Sequence, residues 1–323
     1  LNDRMTSPWY LGVDLGGTKI GVSRFDVSTA SVLEVERFPT GIQCDPVGAI
    51  DRVVDIARAW IDKTESPPEA IGVSVGGMYD VHSGCMRHAP HLPLWDGFPI
   101  ISTLRDAFGV PVFGENDANA CALAEWRYGA GRGCDDLIFL TFGTGLGAGL
   151  ILNGTLHRGK TGLAGEVGTM RVSEAGPPIR QKPGCLEGFA SGAGIAMLAK
   201  DRQRANPSPL LPQEPSAKDV AEAARQGDAL SLSILDECGR KLGQGLAVLI
   251  DVLNPERIIL GSIFTRCESL LRPSIEDSIS KEAMPETGKA CAIVPAELGE
   301  SIGDFGAATV AALGIENELE TLK

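Results

Sequence analysis

The feature that most constrains this chain is a design used twice. Residues 10–26 read YLGVDLGGTKIGVSRFD, two alternating apolar runs about a Gly-Gly turn, the pattern of a β-hairpin. Residues 137–154, LIFLTFGTGLGAGLILNG, repeat it: an apolar strand, a polar residue (Thr141 where the first copy has Asp14), a Gly/Thr-rich turn and a second apolar strand. Two such units predict two related α/β lobes. A chain of 323 residues, 43% of them hydrophobic, is long enough to bury a core in each.

The segments around the hairpins support an α/β reading. VLEVERFPT (32–40) reads as a third strand, and PVGAIDRVVDIARAWIDKT (46–64) as an amphipathic helix. Asp45 can cap that helix, Pro46 suits its first turn, and Ile50, Val53, Val54, Ala57, Trp60 and Ile61 share one face. AIGVSV (70–75) and PVFGEN (111–116) read as buried strands, paired in parallel beneath helices. An Ala-rich helix is expected over 117–131, and long helical patterns occupy 219–253 up to Asn254-Pro255. RIILGSIF (257–264) reads as a short buried strand ending in a Gly-Ser turn, ACAIVPA (290–296) as another strand, and GDFGAATVAALG (303–314) as a terminal helix rich in small residues. NPSPLLPQEPSA (206–217), with four prolines, reads as a surface loop.

Charge and cysteine usage exclude several function classes. A net charge of −13 without clustered Lys or Arg argues against nucleic acid. Eight cysteines lie scattered with no CxxC pair, which fits free thiols in a reducing cytosol and a cytoplasmic protein. No apolar run nears the ~20 residues of a membrane span, and the start lacks a signal-peptide pattern, so no membrane partner is expected. The chain begins LNDRM, and Met5 is read as the native start.

Three motifs carry chemistry. Asp14-Leu15-Gly16-Gly17-Thr18-Lys19 sets a carboxylate at a strand end, then glycines whose amides can approach an anion, then a hydroxyl and an amine. An ordinary Gly-Gly hairpin is an equal reading of this stretch alone. Gly143-Thr144-Gly145-Leu146-Gly147 repeats the logic, and two such turns could grip one polyphosphate. Neither is a P-loop, since GxxxxGK[ST] is absent, nor a Rossmann fingerprint, since the glycines join two strands. At Glu115-Asn116-Asp117-Ala118-Asn119 a strand gives way to a helix. Asn116 suits a helix cap, while Asp117, past a parallel strand's carboxyl end, suits an active site. There the helix dipole is expected to keep Asp117 ionised, ready to accept a hydroxyl proton.

Together these residues resemble the ROK family of sugar kinases, within the actin-like, hexokinase-like ATPase superfamily. The resemblance rests on VDLGGTKI (13–20), HLPLWDGFPI (91–100), ENDANACALAEWRYGAG (115–131), FGTGLGAGLILNGTLHRGKTGLAGEVG (142–168) and IILGS (258–262). It implies two actin-like, ribonuclease H-like lobes around a central cleft that closes on the sugar. The expected division is 1–114 plus 303–323 for a small lobe and 115–302 for a large one. The implied activity is ATP-dependent phosphorylation of a hexose, usually at the 6-hydroxyl, with Asp117 as catalytic base. Gly77, Asn116, Asp117, Glu166, Thr169 and Glu187 would hold the sugar. Gly16, Gly17, Thr18, Lys19, Gly143, Thr144 and Gly145 would line the ATP phosphates, Gly261 and Ser262 the adenosine, and Asp14 would stand near Mg²⁺ and its waters. A homodimer is implied as well.

One departure from the family pattern concerns zinc. Members commonly carry a histidine after Glu-x-Gly and a CxCGxxGC run before the second glutamate. Here Thr169 stands at the histidine position, Pro178 and Arg180 stand at two cysteine positions, and Cys185 remains. A single thiolate cannot build the usual four-coordinate site, so no zinc is expected and Cys185 is read as a packed or partly exposed thiol. Thr169 would offer the sugar a hydroxyl in place of an imidazole. Cys85, His88 and His91 lack an evident fourth ligand; the two histidines are read as lining the sugar cleft or its rim, and His157 as ordinary surface. Other readings stay open: an N-acetylhexosamine kinase (N-acetylmannosamine or N-acetylglucosamine), decided by space near Gly77, Met78 and Pro90, or a non-catalytic sugar sensor. A repressor is disfavoured because the first hairpin starts at about the tenth residue, leaving no room for a helix-turn-helix module.

Overall fold

Strands β1 (Trp9–Leu15) and β2 (Lys19–Asp26) pair antiparallel about the Gly16-Gly17 turn, with Asp14 opposite Gly21. The structure, a computed structural model, describes residues 7–40, 44–87, 92–179 and 181–321. Met5, His88, Pro90, His91 and Arg180, with the readings attached to them, lie outside these residues. After β3 (Ser31–Pro39) come helix α1 (Pro46–Thr64), β4 (Ala70–Val75), the small hairpin β5 (Met78–Asp80) and β6 (Cys85–Arg87), helix α2 (Ile100–Phe108), β7 (Val112–Asn116) and helix α3 (Asp117–Tyr128). The second hairpin gives β8 (Leu137–Leu140) and β9 (Ala148–Leu152), followed by β10 (Thr155–Leu156). Helices α4 (Leu186–Phe189), α5 (Gly192–Ala205), α6 (Ala217–Arg225) and α7 (Ala229–Leu253) lead to β11 (Arg257–Leu260). The chain ends with α8 (Ile263–Glu282), α9 (Pro285–Ala290), β12 (Ala292–Pro295) and α10 (Ile302–Thr321).

The repeat seen in the sequence is a repeat of topology. One sheet runs β3-β2-β1-β4-β7 and the other β10-β9-β8-β11-β12, so each has the strand order third, second, first, fourth, fifth. In both, the first three strands are antiparallel and the last two add in parallel. Contacts divide the chain into two units, Leu1–Tyr128 with Arg158–Leu163 and Glu300–Lys323, and Gly129–His157 with Ala164–Gly299.

In the first unit both faces of the sheet are covered. Trp9, Leu11, Val13 and Leu15 of β1 face the cluster that includes Val53, Ala57 and Trp60 of α1. Tyr10, on the opposite face, packs with Ala308 and Ala311 of α10. Asp45 caps α1 as expected, accepting from the Gly48 N–H at 2.9 Å. Small residues let α10 lie close to the strands: a Cβ on Gly72 would stand 1.8 Å from the Ala307 carbonyl oxygen, so only glycine fits. Helix α3 packs in this unit too, where a Cβ on Gly306 would come 3.2 Å from the Ala120 carbonyl carbon. The expected division at 114 sets α3 apart, but α3, buried all round from Ala118 to Glu125, packs with α10 in the first unit.

In the second unit the core lies between β8, β9 and β11 and helices α5 to α8, with Ile138, Leu140, Ile258, Leu242 and Phe264 fully buried. The stretch 257–264 is strand only as far as its Gly-Ser turn, as expected. The strand stops at Leu260, and Ile263 and Phe264 open α8, because the chain reverses at Ser262 with φ of 48°. Short apolar runs do not by themselves separate strand from buried helix. Among the described residues no helix is long and apolar enough to cross a membrane.

Candidate active site

In the first unit the chemistry gathers where β7 becomes α3. Asn116 caps the helix, its Oδ1 accepting from the N–H groups of Ala118 at 3.0 Å and Asn119 at 3.3 Å. Its Nδ2 donates to the Gly77 carbonyl at 2.8 Å and to Asp117 Oδ1 at 3.0 Å. Capping and site-building are therefore one arrangement rather than rival readings. Gly77 has φ of 101°, a left-handed conformation that aims its carbonyl at Asn116 and favours glycine.

Asp117 Oδ1 also accepts from the Ala118 N–H at 2.9 Å, so Oδ2 is the oxygen left for a partner. Burial pushes the Asp117 carboxyl up to about 7, with the charge of Asp14 adding to the shift against these hydrogen bonds. The expectation that the helix start keeps Asp117 ionised is thus corrected: desolvation outweighs the helix amides. A carboxylate poised near neutrality suits a general base better than one locked in its charged form.

Glu115 underlies this junction and is only 2% exposed. Its Oε1 accepts from the Asn116 N–H and from Asn119 Nδ2, both at 3.0 Å, and its Oε2 from Arg158 Nε at 2.7 Å. The carboxylate thereby fixes the backbone that carries Asn116 and Asp117, with Arg158 balancing its charge.

Asp14 ends β1 and accepts from Ser74 Oγ at 3.0 Å. Burial raises its pKa and the Asp304 charge adds to the rise, while Ser74, Lys19 and Arg37 favour the ionised form. A Cβ on Gly303 would stand 2.4 Å from Asp14 Oδ2, so α10 begins directly against this carboxylate. Asp304, 3% exposed, is paired with Arg37. The adjoining turn is braced by Thr40, whose Oγ1 donates to the Gly16 carbonyl at 3.0 Å and whose N–H donates to the Thr18 carbonyl at 3.0 Å. The side chains of Thr18 and Lys19 stay exposed.

These groups fit a magnesium ion of a particular kind. Among the described residues no group of three or more His, Cys, Asp or Glu side chains could hold a metal ion. Mg²⁺ needs no such cage, since it retains water and binds one or two carboxylates plus substrate phosphates. Asp14, whose charge is opposed by burial and by Asp304, would gain from a cation beside it.

In the second unit the Gly143–Gly145 turn follows β8. The Gly143 N–H donates to the Thr141 carbonyl at 2.8 Å, and the α5 start reaches back, with the Gly192 N–H on the Gly143 carbonyl at 2.7 Å and the Ala193 N–H on that of Thr144 at 3.2 Å. A Cβ on Gly143 would lie 3.8 Å from Ser262 Oγ, and the Gly261 N–H donates to Leu140 at 3.0 Å. Gly143, Thr144, Gly145, Gly261 and Ser262 therefore collect at the carboxyl ends of the parallel strands β8 and β11, where open α/β sheets place ligands.

Glu187, in α4, accepts from the Leu146 N–H at 3.3 Å through Oε2, and a Cβ on Gly168 would be 2.9 Å from the same oxygen. The Glu166 and Glu187 segments are thus neighbours. Thr169 closes the Glu166 turn, donating its N–H at 3.2 Å and its hydroxyl at 2.9 Å to the Glu166 carbonyl. Its hydroxyl proton is committed to the backbone, unlike the ligand-facing donor expected of it. Cys185 is packed, 2% exposed, and His157 is exposed.

Residues 10–313 match the model of the ROK family. The chain belongs to the ROK family. It is 32% identical over 313 residues to a glucokinase of Halalkalibacterium halodurans, covering 94% of each chain. The solved ROK hexokinase of Thermus thermophilus superposes with a TM-score of 0.82 at 30% identity, over 96% of this chain and 99% of that one. A ROK glucokinase from Streptomyces griseus in complex with glucose and AMPPNP gives 0.78 at 33% identity, over 94% and 99%. The fold is accordingly the mixed α/β, actin-like one of ROK sugar kinases.

In this ROK protein sequence reasoning missed Ser74, Arg37, Gly303, Asp304 and Arg158. Gly303-Asp304 opens a helix, where an acidic residue is the ordinary choice, so its place beside Asp14 carried no signal. Ser74 and Arg158 carry no local signal, since their roles arise from pairing β4 with β1 and from a loop returning to β7.

Proposed function

We propose that this ROK-family sugar kinase transfers the γ-phosphoryl group of ATP to the 6-hydroxyl of a hexose, in the manner of a glucokinase, with Asp117 as general base. The observation that carries the reading is Asp117 itself: half-buried, fixed through Oδ1 by Ala118 and Asn116, and with a carboxyl near 7. Oδ2 would take the proton of the sugar hydroxyl as the hydroxyl oxygen attacks the γ-phosphorus and ADP leaves. The missing side chain of Gly76 keeps room there, since a Cβ would come 3.8 Å from Oδ2.

The other roles follow the donors and acceptors present. Asn116, the Gly77 backbone, Glu166 and Glu187 would bind sugar hydroxyls, with Thr169 contributing only the acceptor side of its hydroxyl oxygen. The amides of Gly16, Gly17, Gly143 and Gly145, with Thr18, Lys19 and Thr144, would receive the ATP phosphates, and Gly261 and Ser262 the adenosine. Mg²⁺ would neutralise phosphate charge, with Asp14 orienting its waters. Positioning and charge neutralisation would supply most of the rate, as in other phosphoryl transfers. A homodimer belongs to the same reading.

The test is coupled ADP release with glucose, mannose, N-acetylglucosamine and N-acetylmannosamine. Glucose-dependent turnover, abolished in a folded Asp117→Ala variant, is expected. Turnover confined to the N-acetyl sugars would reassign the protein as an N-acetylhexosamine kinase. Binding without turnover would make it a sensor and defeat the kinase reading.

A further inference from the structure

The turn that carries Glu166 is too short to hold itself. It is a single 3₁₀ turn, Val167–Thr169, and its last carbonyls have no partner within the turn. On one side it is backed by Gly168, against the Leu146 carbonyl and Glu187. On the other, the half-buried Lys182 ammonium donates to the Thr169 carbonyl. A cation there meets both an orphan acceptor and the negative end of the turn.

Lys182 is placed for this by its own surroundings. Its N–H closes a tight turn onto the Ile179 carbonyl at 2.8 Å, with Gln181 at φ of 61°. The flanking segments pair through an isolated Arg171–Cys185 bridge, the Leu186 N–H on the Met170 carbonyl at 2.7 Å and the Val172 N–H on that of Gly184 at 2.9 Å. Two more cations meet carbonyls of the same loop: Arg171 donates to Pro183 at 3.1 Å, and Lys241 to Val172 at 3.0 Å. Lys241 also stands 5.7 Å from the centre of the Phe189 ring, which Gly176 packs against closely enough that a Cβ would be 2.3 Å from the ring edge. Three basic side chains thus fasten three carbonyls along the two arms that carry Glu166 and Glu187.

We infer that Lys182 is a positioning residue for sugar recognition, holding the Glu166–Thr169 turn through the Thr169 carbonyl. Arg171 and Lys241 fasten the rest of the loop, and of these three cations Lys182 is the one that grips the turn bearing Glu166. The role in sugar recognition rests on the reading of Glu166 and Glu187 given above, whereas the clamp itself rests on these contacts alone.

Two measurements separate those levels. In Lys182→Met, KM for the hexose is expected to rise by about tenfold or more, the cost of a charge-assisted hydrogen bond, while KM for ATP stays at its wild-type value. Hydrogen exchange should quicken in peptides spanning 166–172 and stay unchanged elsewhere. Lys182→Arg, which keeps a donor and a charge, should restore most of the sugar affinity. An unchanged hexose KM, or an equal rise for both substrates, would overturn the sugar-recognition role. Should the wild type phosphorylate no sugar, the exchange data still decide: faster exchange confined to that loop upholds the clamp, and unaltered exchange overturns it.

Discussion

Replacing Asp117 with asparagine separates what this residue costs the fold from what it does for the reaction. Burial and Asp14 raise its carboxyl from the ordinary 3.8 to about 7. A shift of that size corresponds to about 4 kcal/mol against the charged form, at about 1.36 kcal/mol per pK unit. The unfolded chain releases this proton at the ordinary value and the native protein only near 7. Between those values the native state holds a proton that the unfolded state has lost, so stability declines as pH rises, and above the upper value the full cost stands. Asparagine is never charged, and its Oδ1 can accept the same bonds from Ala118 and Asn116. Asp117→Asn should therefore be more stable than wild type by up to about 4 kcal/mol at about pH 9 and no more stable at about pH 4. Its kcat should fall by about 10²–10⁴ through loss of the base. Urea unfolding at the two pH values, beside coupled ADP release, reads both effects. A gain equal at both pH values, no gain at high pH, or an undiminished kcat would refute the reasoning.

Three other substitutions or measurements bear on the same site. Arg158→Met should destabilise the protein by about 2 kcal/mol, less than a fully buried pair because the guanidinium is partly exposed, and adding Glu115→Gln should recover most of it; urea unfolding in which the double variant is no better than the single would contradict the pairing. Gly303→Ala, which sets a methyl 2.4 Å from Asp14 Oδ2, should raise the Mg²⁺ concentration needed for half-maximal activity, and an unaltered Mg²⁺ dependence would count against Asp14 as its neighbour. Elemental analysis of the purified protein should show no stoichiometric zinc, and one zinc per chain would overturn the ligand-counting argument about Thr169, Pro178 and Cys185.

What could be read from the sequence was local. The two hairpins were legible because apolar alternation and a glycine turn lie within some twenty residues of each other, and β1–β2 and β8–β9 pair accordingly. Helix α1 was legible through its cap and apolar face, and Asp117 through its position at a strand end. Ile263 and Phe264 were not legible as the start of α8, because an apolar run continues from β11 into α8 without a change in composition. The state of Asp117 was not legible either: a helix start argues for charge, and only the surrounding packing shows that burial and Asp14 prevail. Arg37–Asp304 and Glu115–Arg158 join residues far apart in the chain, so no window of sequence contains them.

The central claim, that Asp117 takes the proton as a hexose 6-hydroxyl attacks ATP, is tested most directly by ³¹P NMR of the product formed from ATP and glucose. The account predicts a hexose 6-phosphate with wild-type protein and the same ester formed about 10²–10⁴ times more slowly with Asp117→Asn. Inorganic phosphate as the sole product, a phosphate at another hydroxyl, or the same ester formed at the same rate by the variant would contradict it.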